Sequence, residues 1–167
     1  MEINAIIEIP KGSNIKYEYS VEEKRMFVDR ILPGEFSYPF NYGRIENTLM
    51  PDGNHLDILI LNDKPILPTV AIKVKIIGVL LFEDGDTYEE KVNDDHILAV
   101  PVDSIDYRYH NINDIEDISE MDKSQLYYFF TNYKKHEGKY SKVNGFSNRY
   151  QAIRIIEMAR RRFLVRN

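Results

Sequence analysis

Two carboxylates, Asp52 and Asp57, bracket a Gly-Asn turn in the run Asp52-Gly53-Asn54-His55-Leu56-Asp57. The run passes directly into Ile58-Leu59-Ile60-Leu61, so it reads as a loop entering a buried strand. Carboxylates held at the mouth of a strand suit a hard divalent cation such as Mg²⁺, which prefers carboxylate oxygen and keeps several of its waters. On their own, the same residues also describe a polar turn capping a hairpin, because short motifs often match by chance. A second acidic stretch carries Glu83, Asp84, Asp86, Glu89, Glu90, Asp94 and Asp95 around Gly85. Most of these read as a solvated acidic hairpin.

The elements that must position these groups are strands first and helices last. Ile3 to Ile9 is β-rich and stops at Pro10-Lys11-Gly12. Lys16 to Tyr19 and Met26 to Arg30 are short extended pieces. Val70 to Ile76 alternates with period two, which marks a half-buried strand, and Ile97 to Val100 is closed by Pro101. Five or more short strands separated by turn residues predict a small β-barrel. In Asp122 to His136, Leu126, Phe129, Phe130 and Tyr133 fall at i, i+3, i+4 and i+7, which predicts a helix stopped by Gly138. Ser147 or Asn148 can cap a second helix with the apolar stripe Ala152, Ile156, Ala159 and Phe163. The expected fold is α+β: a small closed five-stranded barrel with extra strands and two C-terminal helices packed outside.

With 167 residues and 43% hydrophobic content, the chain is expected to form a single domain over 1–167 with a real core. No run of eighteen apolar residues occurs, so no membrane partner is expected. The N-terminus lacks the pattern of a signal peptide and the chain has no cysteine, which fits a cytoplasmic protein. A net charge of −5 argues against nucleic acid as partner. The basic cluster Arg160, Arg161, Arg162 and Arg166 reads as favourable charge at a helix C-terminus.

The Asp52–Asp57 run is similar to the signature of the family I soluble inorganic pyrophosphatases, Asp-small-Asp-Pro-apolar-Asp, with Asn54 at the middle Asp and His55 at the Pro. The resemblance extends from Glu8-Ile9-Pro10 to Tyr133-Lys134. In order, it takes in Ile15-Lys16-Tyr17-Glu18, Phe27-Val28-Asp29-Arg30, Tyr38-Pro39-Phe40-Asn41-Tyr42-Gly43, Ile77-Gly78-Val79-Leu80 and Leu98-Ala99-Val100-Pro101. It implies a barrel of the oligonucleotide-binding type, Mg²⁺ as cofactor, pyrophosphate as substrate and a homohexamer. It implies that Asp52, Asp57 and Asp94 bind the metals that activate water, and that Asp84 helps Asp94 hold metals arriving with substrate. Asp94 is fixed only by counting back from Leu98, which leaves Asp95 and Asp86 as alternatives. Glu8 and Glu18 would act through metal-bound waters. Lys16, Arg30, Tyr133 and Lys134 would hold phosphate. Tyr42 would lie close to the attacking water, with Tyr38 at the edge of the site.

Two residues depart from that pattern. Asn54 stands where the family has its general base, and an amide can orient a water but cannot take its proton. His55, next to it, can in principle accept a proton, but strand alternation is expected to point it away. His96 stands where a phosphate-touching lysine is usual, and weaker substrate binding is expected. Three readings follow: a pyrophosphatase with reduced or retuned activity, an inactive homologue that binds pyrophosphate, nucleotide or a protein partner, or an enzyme acting on another phosphoanhydride. His110 and His136 read as solvent-exposed or as subunit contacts.

Overall fold

The computed structural model describes residues 1–166. Nine strands and two α-helices follow the order β1 (Glu2–Ile9), β2 (Ile15–Ser20), β3 (Arg25–Ile31), β4 (Asn41–Ile45), β5 (Leu56–Ile60), β6 (Ala71–Gly85), β7 (Val92–Asn93), β8 (His96–Pro101), α1 (Glu120–Asn132), β9 (Tyr140–Asn148) and α2 (Arg149–Arg166). Five strands close a ring in the order β1-β4-β5-β8-β6 and back to β1. The β5–β8 pair is parallel and the other four are antiparallel. This is a closed five-stranded Greek-key barrel of the oligonucleotide-binding type. The long strand β6 outruns the barrel: its first half pairs with β1 and β8, and Gly78–Gly85 pairs with β9. The hairpin β2–β3 stands apart as a separate two-stranded sheet.

Strand alternation sorts the apolar residues into two cores. Ile3, Ala5, Ile7, Leu56, Ile58, Ile60, Val74, Ile97 and Ala99 fill the ring, and Ala152, Ile156 and Ala159 of α2 complete that cluster. Leu59, Leu61, Leu98 and Val100 point the other way and meet Leu126, Phe129 and Phe130 of α1. Both faces of β5 and β8 are thus covered, which is why their sequences are continuous apolar runs rather than alternating ones.

A bulge in β1 matters for the site. Ile7 and Ile9 pair with the consecutive residues Gly43 and Tyr42, so Glu8 is an extra residue. The bulge turns Ile9 and Glu8 toward the outer face after Ile3, Ala5 and Ile7 have faced inward. At Gly43 a Cβ would lie 2.0 Å from the Ile6 carbonyl oxygen, so β4 can approach β1 here only without a side chain.

Both predicted helices form, with shifted ends. Ser119 caps α1 by accepting the Asp122 N–H at 3.1 Å, and the helix stops at Asn132 rather than running to His136. Gly138 then adopts φ 69° and ends the following 3₁₀ turn. Asn148 accepts the Gln151 N–H at 3.1 Å at the start of α2. His136 is exposed, while His110 is half-buried and stacks on Tyr107 at 4.3 Å between centroids.

Candidate active site

On the outer side of the barrel, between the β2–β3 hairpin, the β4–β5 loop and the C-terminal end of α1, lies a cavity of about 670 Å³. Its wall includes Glu8, Lys16, Glu18, Tyr38, Tyr42, Asp52, Asn54, Asp57, Asp84, Asp94, Tyr133 and Lys134. Residues scattered over more than a hundred positions of sequence therefore meet in one place. His55, Arg44 and Tyr19 also line it.

The β4–β5 loop is pinned from below. Buried Thr48 donates from its hydroxyl to the Ile45 carbonyl at 2.5 Å and accepts the Leu56 N–H at 2.9 Å. The Leu49 N–H donates to the Ala159 carbonyl of α2 at 3.0 Å. Within the loop, Gly53 takes φ 91°, and Asn54 folds back on Asp52. Its backbone N–H donates to Oδ1 at 3.0 Å and its side-chain amide to Oδ2 at 3.1 Å. Asn54 is thus a hydrogen-bond donor to the very carboxylate that a second Asp here would repel. His55 donates from Nδ1 to the Thr48 carbonyl at 3.0 Å. A carbonyl can only accept, so the neutral ring carries its proton on Nδ1 and its lone pair on Nε2. The expectation that alternation turns His55 away is corrected in part: it is held by the loop backbone, yet it belongs to the cavity wall.

Asp57 projects from β5 beside Tyr42 of β4, whose hydroxyl donates to Oδ2 at 2.5 Å. Burial pushes the Asp57 carboxyl well up from its ordinary range, and the nearby Asp94 adds to this. Asp94 is pushed up to about 7, by burial first and then by Asp84. Lys134 forms an ion pair with Asp84. Of the alternatives for the third carboxylate, Asp95 is absent from the wall and accepts the Phe82 N–H at 2.9 Å, and Asp86 is exposed beside Lys139. Mutually repelling carboxylates half-buried around one space are a donor set that a divalent cation relieves, so the residues present fit such a metal.

Glu8 and Arg44 form a pair at 3.1 Å in which both side chains are only 8% exposed. The Arg44 guanidinium also lies 3.8 Å from the Tyr19 ring centre. Arg44 was missed in the sequence. Its place shows only in the fold, where it alternates with Tyr42 on β4 and pairs in register with Asp57.

Two of the expected site residues lie off the wall. Arg30 makes an ion pair with Glu137 at 2.7 Å, without hydrogen-bond geometry at Nε, and another with Asp29 at 3.4 Å. His96 is 1% exposed, on the face of β8 that carries Leu98 and Val100, among the rings of Tyr42, Phe82 and Phe130. A ring that short, on a strand face covered by α1, stays within the aromatic cluster. Burial lowers the imidazole to about 3, so it is neutral.

The family model for inorganic pyrophosphatase matches residues 5–164. The chain belongs to the inorganic pyrophosphatase family. It is 46% identical to the inorganic pyrophosphatase of Nanoarchaeum equitans over 164 residues, covering 98% of each chain. It is 42% identical to that of Sulfolobus acidocaldarius, covering 96% of this chain and 90% of the relative. Among solved structures, the inorganic pyrophosphatase of Helicobacter pylori superposes with a TM-score of 0.90 at 38% identity, covering 98% of this chain and 94% of that one. Membership of the pyrophosphatase family implies a divalent metal, in keeping with the acidic wall of the cavity. Among the described residues no helix is long and apolar enough to cross a membrane.

Proposed function

We propose that this chain hydrolyses inorganic pyrophosphate to two phosphates with Mg²⁺, using a metal-activated water in the cavity between β5 and α1. The observation that carries the reading is the lining of one cavity by two opposite sets, the carboxylates Asp52, Asp57, Asp84 and Asp94 and the phosphate-binding groups Lys16, Tyr133 and Lys134. Pyrophosphate is a compact anion, and its hydrolysis needs both cations on its oxygens and a held nucleophile.

In this reading Asp52, Asp57, Asp84 and Asp94 hold the metal, with Glu8 and Glu18 orienting water around it. When bound, the metal screens the phosphate charge and acidifies water. Tyr42 fixes the Asp57 carboxylate through its 2.5 Å hydrogen bond. Lys16 and Lys134 supply positive charge to phosphate oxygens, and Tyr133 supplies a hydroxyl. Lys134 reaches substrate by leaving Asp84, its partner here. Arg30, held by Glu137 and Asp29, acts as support behind Tyr133, whose ring centre is 5.9 Å from its guanidinium.

Asn54 orients the nucleophilic water but takes no proton. His55 belongs to the same cavity wall but is tied through Nδ1 to the Thr48 carbonyl. The rate is therefore lower than that of a site with a carboxylate at position 54. The reading extends to a single domain over 1–167 on the ground of length, a cytoplasmic location on the ground of composition, and a homohexamer on the strength of the family resemblance. Sedimentation velocity tests the last.

The loss of the usual base supports a second reading, a homologue that binds pyrophosphate without turnover. Phosphate release measured with and without chelator separates the two. Turnover that needs metal upholds the enzyme. Metal-dependent binding by calorimetry with no release upholds the binding module.

A further inference from the structure

Behind the acidic wall lies a nitrogen donor that an all-oxygen metal site leaves unused. Both ring nitrogens of His96 are buried without a well-formed hydrogen bond, and only the Asp95 backbone makes a weak polar contact with the imidazole. A buried polar atom left unpaired is costly, so each such atom in a folded protein asks for an explanation. The rings of Tyr42, Phe82 and Phe130, at 5.6, 5.3 and 4.8 Å between centroids, enclose the imidazole and provide no partner. The Tyr42 hydroxyl is already given to Asp57.

What remains is the carboxylate pair. His96 Nδ1 stands 4.0 Å from Asp57 Oδ2, and single donor atoms of Asp57, Asp94 and His96 all lie within 4.8 Å of one another. That spacing is too long for a hydrogen bond and close to the span of one ion. Donors about 2.1 Å from a shared metal stand at most about 4.2 Å apart, so the widest pair closes by roughly half an ångström.

We propose that His96 is a metal ligand through Nδ1, completing with Asp57 and Asp94 a mixed nitrogen–oxygen site that binds a first-row transition ion such as Mn²⁺, Co²⁺ or Zn²⁺ more tightly than the Mg²⁺ that also supports the proposed reaction. Imidazole suits Zn²⁺ and Co²⁺ and is a better ligand for Mn²⁺ than for Mg²⁺, which demands near-octahedral oxygen and keeps several waters. The proposal rests on reading the cavity as a metal site and not on pyrophosphate being the substrate.

The test uses the full chain, stripped with chelator and loaded with one equivalent of Mn²⁺. Electron spin echo modulation should show a directly bound imidazole nitrogen in the unmodified chain and in His55→Gln, and none in His96→Gln. The preference for Mn²⁺ over Mg²⁺, from competition calorimetry, should fall at least about tenfold in His96→Gln. Should His96→Gln fail to fold, a long-range proton–nitrogen spectrum of the unmodified chain reads the same bond: saturating Zn²⁺ should move a His96 ring nitrogen more than those of the other three histidines. No nitrogen coupling in the unmodified chain, coupling that survives His96→Gln, or an unmoved His96 nitrogen would each overturn the proposal. Phosphate release is read separately. A nitrogen-coupled ion without turnover upholds His96 as ligand and defeats the pyrophosphatase reading.

Discussion

Replacing Arg44 by Met should destabilise the metal-free protein by about 3–5 kcal/mol at pH 7, the usual result of breaking a buried ion pair by removing one partner. The number follows from where the pair sits. Glu8 and Arg44 are each 8% exposed and 3.1 Å apart, so a lone Glu8 carboxylate has little water to turn to. Loss of the guanidinium over Tyr19 adds on the order of 1 kcal/mol. Burial already raises the Glu8 carboxyl above its ordinary 4.5, with Arg44 pulling it down, so removing Arg44 raises it further. A carboxyl raised in the native state favours folding below its unfolded pKa, and that contribution disappears as pH rises through the native value. The penalty of Arg44→Met is therefore largest at neutral pH and shrinks as the pH falls toward 4.5. Urea unfolding of the unmodified chain, Arg44→Met, Glu8→Gln and the double variant, in chelator at pH 7 and pH 5, measures this directly. The double variant should recover at least half of the loss. A loss under about 1 kcal/mol, or a double variant no better than Arg44→Met, would show that the pair is not desolvated as described.

Asn54→Asp should raise phosphate release by about 10²–10⁴-fold if position 54 faces the attacking water, as initial rates at saturating metal will show; an unchanged rate places the base elsewhere. Gly43→Ala should cost about 3 kcal/mol or more, since its Cβ would fall 2.0 Å from the backbone oxygen of Ile6 and β4 must leave β1; a melting temperature within a degree or two of the unmodified chain refutes this. Asp94, raised to about 7, favours the metal-free fold below its ordinary 3.8, and that contribution fades as pH rises through 7. Asp94→Asn should accordingly gain stability relative to the unmodified chain between pH 4 and 8 in chelator, and saturating metal should reverse the ranking.

The sequence disclosed the barrel wherever one physical signal dominated. Val70 to Ile76 alternated because its strand is half-buried, and Ile97 to Val100 was continuous because both faces are covered. Strand β9 gave no signal: of Tyr140–Asn148 only Val143 is buried, and its polar and glycine residues hold a strand through pairing with the overhang of β6. Strand β4 was hidden in an aromatic turn motif, although all five of its residues are buried. Asp52, Asp57, Tyr42 and Lys134, which family motifs mark individually, all line one cavity. Arg44 was not legible, since a buried arginine in a five-residue strand is recognised only once the β1 bulge brings Glu8 to it. The same limit applied to His96, whose burial depends on α1 folding back over β8 from more than twenty residues away.

The most direct test of the account is phosphate release from pyrophosphate by the purified chain with Mg²⁺ and with Mn²⁺, alongside Asp57→Asn. Metal-dependent release that chelator abolishes and Asp57→Asn loses is the predicted result. No release with either metal from a folded chain that still binds them would contradict it, and would make the cavity a binding site rather than a catalytic one.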